Sequence, residues 1–344
     1  MYGGIGSYCD GLLNAFGKYG KGKISVAETG VSHPHKRFRP FWRLVYLSKL
    51  NLLKRKFFNG ADVVHFANYY VPGRNSRTAY VATIHDLDPL IMPEVHSSRY
   101  LPYFKKVVEH AVHNSDILVT QTEAVRQDVV TYFQLDDSKV MVGGDGLSDE
   151  FMAYADRENK LHPDNPMLLY VGQINMKKNV TWLVNTVYEG VASGALPKLT
   201  LILVGGEGYG SFEFKKNLRN FEPVVQWCRG VPLDKLVSYY CQCAAVVVPS
   251  FREGFGRPLL EGMYCGKPIV ASRIPSSREV AGNAAFYFDL EKKDEFYSAV
   301  RSALSAERSE ERKVIAKNQL RKYSWENLTE VYYNIYQSAK EAVR

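Results

Sequence analysis

The chain has 344 residues, 46% of them apolar and 23% charged, with a formal net charge of +8. That length exceeds one ordinary core and that composition fills two, which excludes a disordered polymer and predicts two globular domains. It contains no run of about 18 uncharged apolar residues and no charged-then-apolar leader, so no membrane span is expected and a cytoplasmic location is.

In chain order, a Gly3-Gly4-Ile5-Gly6 turn opens the first helical stretch with only Met1 and Tyr2 before it. A glycine-rich loop of this kind needs a strand ahead of it. The first strand of such a sheet normally lies at its middle, where its loss strands two neighbours' backbone groups. A segment upstream of Met1 is therefore expected. Strand-like runs at 24–27, 62–66, 81–84, 117–120 and 140–142 alternate with helical stretches, the α/β pattern. Thr122 is placed to cap a helix that begins at Glu123. His65 and His85 each end a strand, which puts His85 at the carboxyl edge of the sheet and makes His65 a packing residue or an acceptor contact. Asp86-Leu87-Asp88 spells a metal-binding D-x-D string, but a metal clamp needs its carboxylates presented together, and Pro89 turns the chain onward. No metal site is read there. The polar segment 147–166, with Pro163 and Pro166 near its end, is read as the hinge. It divides residues 1–150 from a second domain at 167–322, whose strand-like runs lie at 168–171, 199–204, 224–227, 244–248, 269–271 and 285–288. Residues 323–344 are read as a last helix, with Ser324 at its start.

Residues 244–272, AAVVVPSFREGFGRPLLEGMYCGKPIVAS, carry the chemistry. A short apolar run suits a strand buried on both faces. Pro258 suits the first turn of a helix, and Gly266 and Pro268 end that helix before the next strand. The segment is then one βαβ unit whose loop lies at the carboxyl edge of a parallel sheet. A helix start at that edge offers unpaired N–H groups and partial positive charge, and Gly254 and Gly256 let a phosphate come close. Glu253 and Glu261 flank this anion site. Carboxylates beside a phosphate repel it unless they accept hydrogen bonds from hydroxyls, as on a sugar and a ribose. The combination predicts a nucleotide sugar.

The string EGFGRPLLE, with Glu253 and Glu261 separated by seven residues, resembles the paired-glutamate signature of family 4 retaining glycosyltransferases of GT-B fold. The resemblance extends in order through GGIGSY (3–8), DVVHFANYYVP (62–72), TIHDLDPL (83–90), VTQTEAVRQD (119–128), YVGQINMKKN (170–179), LILVGGEG (201–208) and SWENLTEVYYNIY (324–336). It is nearest in character to mannosyltransferase-like members. It implies two Rossmann-like doubly wound domains facing a cleft, residues 1–150 serving the acceptor and 167–322 the nucleotide sugar, with the helix at 323–344 crossing back to brace the first domain. It further implies that Glu253 accepts from the sugar, Glu261 from the ribose, and that Lys178 with Lys177 and Arg257 offsets the diphosphate. Gly172 and the main chain of Phe255 and Gly256 complete the donor cradle, His85 contacts the donor sugar, and Gly4 lets donor and acceptor approach the first helix. Gln173 stands where many relatives carry arginine, which removes one expected charge. The donor would be a nucleotide sugar such as GDP-mannose or UDP-glucose, the acceptor a glycan, lipid-linked or other hydroxyl, and no metal or other cofactor is expected. A nucleotide-sugar epimerase of the same fold and an inactive nucleotide-sugar-binding protein are the alternatives.

Cys9, Cys228, Cys241, Cys243 and Cys265 form no CxxC pair, so neither a zinc site nor a disulfide framework is indicated. From residue 29 to 61 there is no acidic residue, and between 36 and 58 eight Lys and Arg interleave with aromatic and leucine side chains. Two readings of this stretch stand: a peripheral surface for anionic lipid at the inner face of a membrane, and a solvated helix packed on the first domain. Nucleic acid is not expected, because no recognised binding module surrounds the patch.

Overall fold

The computed structural model describes residues 4–20, 22–24, 58, 60–73, 78–158, 165–306 and 309–343. They fall into two compact units, one within Ile5–Ile91, Ser98–Gly144 and Trp325–Arg344, the other within Met1–Gly4, Met92–Ser97 and Asp145–Ser324.

The first unit contains α1 (Gly4–Tyr19), β1 (Val63–Phe66), β2 (Ala79–Thr83), α2 (Asp88–Ile91), α3 (Leu101–Asn114), β3 (Ile117–Thr120), α4 (Glu123–Phe133) and β4 (Val140–Val142). The four strands form a parallel sheet in the order β1-β2-β3-β4. Successive side chains of a strand point to opposite faces, and both faces here are covered. Tyr80, Ala82 and Leu118 pack against Phe104, Val108 and Val112 of α3 and Val125 and Val129 of α4. Ala79, Val81 and Val119 pack against Leu12 and Phe16 of α1 and against Leu328, Tyr332 and Ile335 of the chain's last helix, Trp325–Glu341. The apolar residues of α3 recur at the three- and four-residue spacing that makes one buried stripe. Thr122 caps α4 as expected, its hydroxyl accepting from the Val125 amide at 3.3 Å. Ile24 is described and lies outside any strand, while residues 25–27 of the strand expected there and the basic stretch at 36–57 lie outside the described residues. Phe58, the last residue of that stretch, is buried against Phe66 and Tyr80.

The second unit contains α5 (Asp149–Arg157), β5 (Met167–Val171), α6 (Val180–Ser193), β6 (Thr200–Val204), α7 (Ser211–Asn217), β7 (Val225–Cys228), α8 (Leu233–Gln242), β8 (Ala245–Val248), α9 (Arg257–Tyr264), β9 (Ile269–Ser272), α10 (Pro275–Ala281), β10 (Ala285–Phe288), α11 (Lys293–Ala306) and α12 (Glu310–Lys322); the last helix, in the first unit, is α13. Its six strands are parallel in the order β10-β9-β8-β5-β6-β7. Leu169, Ile202, Val246 and Ile269 face one core and Leu168, Leu201, Val247 and Val270 the other, which is why these strands read as unbroken apolar runs. The chain runs outward from β5 through β7 and then returns to place β8 on the other side of β5. The carboxyl ends of β5 and β8 therefore flank the switch point, where ligands of such sheets bind.

One expectation is corrected here. The segment from residue 147, read as an irregular hinge, contains α5, and from Asp145 onward it belongs to the second unit. Ser148 caps α5 by accepting from the Phe151 amide at 3.2 Å. Phe151 and Ala155, one turn apart, are its buried face, and the Phe151 ring meets Tyr240 edge-on at 5.7 Å. The polar majority of the segment hides this two-residue stripe.

Candidate active site

The loop between β8 and α9 is shaped by two residues. Phe255 is buried and packs edge-on against Tyr323 at 5.3 Å. Gly256, the residue before α9, has φ +86°, and a Cβ there would sit 3.0 Å from Leu259 Cδ1. This left-handed residue lets the chain turn directly into the helix. Neither the Phe255 nor the Gly256 amide donates a hydrogen bond among the described residues. Two main-chain donors thus stand at the start of a helix whose dipole favours an anion.

The facing wall comes from the loop after β5. Asn175 accepts from the Lys178 amide at 3.0 Å and so forms the short turn Met176–Lys178. Lys178 Nζ lies 2.6 Å from both carboxylate oxygens of Glu253. Ser250 Oγ donates to Glu253 Oε1 at 2.6 Å, and Ser272 Oγ donates to the Ser250 carbonyl at 2.6 Å. The Glu253 side chain is 6% exposed. Burial alone would raise its pKa, but the charges of Lys178 and Lys177, with the Lys178 and Ser250 hydrogen bonds, outweigh burial and hold it below the usual carboxylate value. The Phe251 amide donates to the Lys177 carbonyl at 3.0 Å, tying the two loops together.

Glu261 lies one turn into α9 and is held differently. Tyr240 of α8 donates to its Oε2 at 2.5 Å. Burial raises the Glu261 pKa, the Arg257 charge and the Tyr240 hydrogen bond oppose the rise, and the net shift is upward. Arg257 donates to the Gly146 carbonyl at 3.3 Å and stands 3.9 Å from the buried carboxylate of Asp145. The two glutamates are thus unequal. The Lys178 and Lys177 charges hold Glu253 below the usual carboxylate value, whereas burial holds Glu261 above it.

The floor of the site is backbone. A Cβ on Gly205, just past β6, would lie 1.8 Å from the Gly172 carbonyl oxygen, so the ends of β5 and β6 touch main chain to main chain. Tyr170 donates to the Gln173 carbonyl at 2.8 Å.

Lys177, Lys178, Gly172, Glu253, Phe255, Gly256, Arg257 and Glu261 therefore share one edge of the second unit's sheet. His85 lies in the first unit. Gly4 begins α1. His85 follows β2 in the first unit and bonds through Nε2 to the Ala67 carbonyl at 2.8 Å; because a carbonyl only accepts, Nε2 carries the proton. Two contributors were missed in the sequence. Tyr240 gave no signal, since it reaches Glu261 from a different helix. Ser250 did, through the S-x-x-E spacing to Glu253 that lets a serine hydroxyl meet a carboxylate three residues on. Arg229, near which the nucleotide base is expected to meet main chain, stacks over Trp227 at 4.1 Å and pairs with Glu207 at 2.8 Å.

The chain matches Glycosyltransferase Family 4 over residues 9–149 and Glycosyl transferases group 1 over residues 165–306. It is 25% identical over 283 residues to O-antigen chain mannosyltransferase B of Escherichia coli, covering 80% of this chain and 74% of that one. Its fold is similar to that of WaaG, a glycosyltransferase involved in lipopolysaccharide biosynthesis, with a TM-score of 0.68 at 15% identity over 97% of this chain and 96% of that one. It is similar also to Anabaena HepE, solved in complex with UDP-glucose, with a TM-score of 0.61 at 16% identity over 85% and 80%. With two parallel Rossmann-like units, a closing helix on the first and matches that span most of its length, the chain belongs to the family 4 glycosyltransferases of GT-B fold.

Proposed function

We propose that the protein transfers mannose, with retention of anomeric configuration and without a metal, from a nucleoside diphosphate sugar to a hydroxyl of a glycan or lipid-linked acceptor on the cytoplasmic side of a membrane. The observation that carries this reading is the pairing of Lys178 with a buried, ionised Glu253 beside two undonated amides at the start of α9. The amides of Phe255 and Gly256 and the α9 dipole receive the diphosphate, and Lys178 and Arg257 add positive charge as the leaving group departs. Glu253 accepts from sugar hydroxyls and Glu261 from the ribose. Because Tyr240 ties Glu261 to the helix that follows β7, the nucleoside half extends toward the β7–α8 loop and Arg229. The acceptor oxygen bonds to the anomeric carbon on the face from which the diphosphate leaves. The carbon–oxygen bond to the diphosphate breaks with its electron pair to phosphate, and the acceptor's proton passes to that phosphate oxygen. The mannosyl assignment draws support from the relative in Escherichia coli, and the use of a nucleotide sugar from the complex of HepE with UDP-glucose.

The test is incubation of purified protein with GDP-mannose or UDP-glucose, with and without a mannose-terminated glycan or a lipid-linked acceptor. Acceptor-dependent nucleotide release and an α linkage by proton NMR support the proposal, and Glu253→Ala should remove both while leaving the circular dichroism spectrum intact. Release of an isomerised sugar without acceptor, or binding with no turnover, contradicts it.

A further inference from the structure

A second polar cluster lies in the first unit, on the face of the sheet covered by α1 and α13. His65 Nδ1 is 2.8 Å from Tyr336 Oη and its Nε2 is 2.8 Å from Thr83 Oγ1. Tyr8 Oη is 3.0 Å from Thr83 Oγ1 and 2.8 Å from Tyr332 Oη. Tyr332 donates to the Gly144 carbonyl at 3.2 Å. Tyr8, Thr83 and Tyr332 are fully buried.

The carbonyl at the end of this series fixes every proton in it. Tyr332 has one hydroxyl proton and gives it to Gly144, so toward Tyr8 it can only accept. Tyr8 then donates to Tyr332 and accepts from Thr83, and Thr83 accepts from His65 Nε2–H. His65 Nδ1 bears the lone pair and accepts from Tyr336. The result is one directed chain of five hydrogen bonds running from α13 through β1, β2 and α1, back to α13 and into the loop after β4. His65 stays neutral in it, its pKa pushed down to about 3 by burial and by the neighbouring His85. Apolar contacts would hold these helices on the sheet, but a hydrogen-bonded chain whose middle members are buried also fixes ring rotations and translations.

The ring so fixed meets His85. The Tyr8 and His85 centroids are 5.2 Å apart with their planes at 88°, and the Ala67 carbonyl holds the opposite nitrogen. His85 Nδ1, a lone pair in this tautomer, makes no hydrogen bond among the described residues. We propose that Tyr8 is a positioning residue for His85, the chain from Tyr336 to Gly144 holding its ring where edge-to-face contact sets the imidazole and presents Nδ1 as an acceptor to a sugar hydroxyl at the carboxyl edge of the first unit's sheet. This rests on the reading of His85 as a sugar contact.

A double-mutant cycle on GDP-mannose turnover tests it. Tyr8→Leu should lower kcat about 10- to 100-fold, the scale of a small misplacement, with KM little changed. Tyr8→Phe keeps the ring but breaks the chain at its hydroxyl, so its kcat should fall between those of the wild type and Tyr8→Leu. In a His85→Ala background Tyr8→Leu should cost nothing further. If Tyr8→Leu lowers kcat by the same factor in both backgrounds, the positioning role is overturned while His85 keeps its place; if His85→Ala leaves turnover unchanged, the reading of His85 itself fails. Should Tyr8→Leu not fold, nitrogen-15 NMR of the wild-type histidines still decides the chain. His65 must show a single Nε2–H tautomer that does not titrate between pH 8 and pH 5, and an Nδ1–H tautomer or a titrating ring overturns the proton order on which the proposal stands.

Discussion

Replacing Lys178 with methionine would leave the Glu253 carboxylate buried, with Ser250 as its remaining close donor and Lys177 as a more distant charge. Removing one partner of a buried ion pair costs about 3–5 kcal/mol. The Lys178 side chain is 20% exposed and the Ser250 bond survives, which puts the cost near the lower end, about 3 kcal/mol. In a unit of roughly 150–250 residues each kcal/mol moves the melting temperature by about 2–4 °C, so a drop of about 6–12 °C is expected at pH 8. The pH dependence follows from the direction of the pKa shift. In the wild type Glu253 titrates below its ordinary value of 4.5, so its stabilisation is present above that value and lost as pH falls through the folded-state pKa. In the variant, burial acts without Lys178 and the folded-state pKa moves above the unfolded one. The protonated form is then favoured, and the deficit relative to wild type is greatest at pH 8 and shrinks toward pH 5. Thermal unfolding followed by circular dichroism at the two pH values measures it, and Lys178→Met/Glu253→Gln should regain most of the loss at pH 8. An equal deficit at both pH values, or none, would refute the claim that Lys178 keeps a buried charge ionised.

Gly205→Ala drives a Cβ into the Gly172 carbonyl at 1.8 Å, with main chain on both sides unable to yield. It should cost more than about 4 kcal/mol, and a wild-type melting temperature would show that β5 and β6 do not approach in this way. Tyr240→Phe removes a hydrogen bond that restrains the upward pKa shift of Glu261, so the carboxylate takes up its proton at a higher pH than in the wild type and becomes a weaker acceptor toward a ribose as pH falls. Calorimetric GDP affinity should therefore fall further at pH 6 than at pH 8, and an unchanged ratio counts against Glu261 as the ribose acceptor. Phe151→Ala should destabilise the second unit by about 3–5 kcal/mol through loss of its packing on Tyr240, whereas a cost below about 1 kcal/mol would leave α5 a surface appendage.

The parallel strands of the second unit were legible because burial on both faces makes continuous apolar runs bounded by Gly and Pro, and α9 because Gly256 and Pro258 mark its start. The Glu253–Lys178 pair could be placed on one sheet edge from the order of strands and loops, but the bidentate geometry could not, since it depends on β8 returning beside β5. The helix α5 was hidden by having two buried apolar residues in nine. The Tyr8–Thr83–His65–Tyr336 series was beyond reach for a different reason. Its bonded partners are polar or aromatic residues up to 324 positions apart, as Tyr8 and Tyr332 are, and no local spacing announces a hydrogen bond made only when α1 and α13 pack on the same face.

Every role proposed for these residues depends on a diphosphate binding at the start of α9. That binding is tested most directly by following the backbone amide signals of Phe255 and Gly256 in nitrogen-15 NMR spectra while GDP is added. Both amides should shift downfield as they acquire phosphate acceptors, and Lys178→Met should weaken the binding without abolishing those shifts. Saturable GDP binding that leaves both amides unmoved would contradict it.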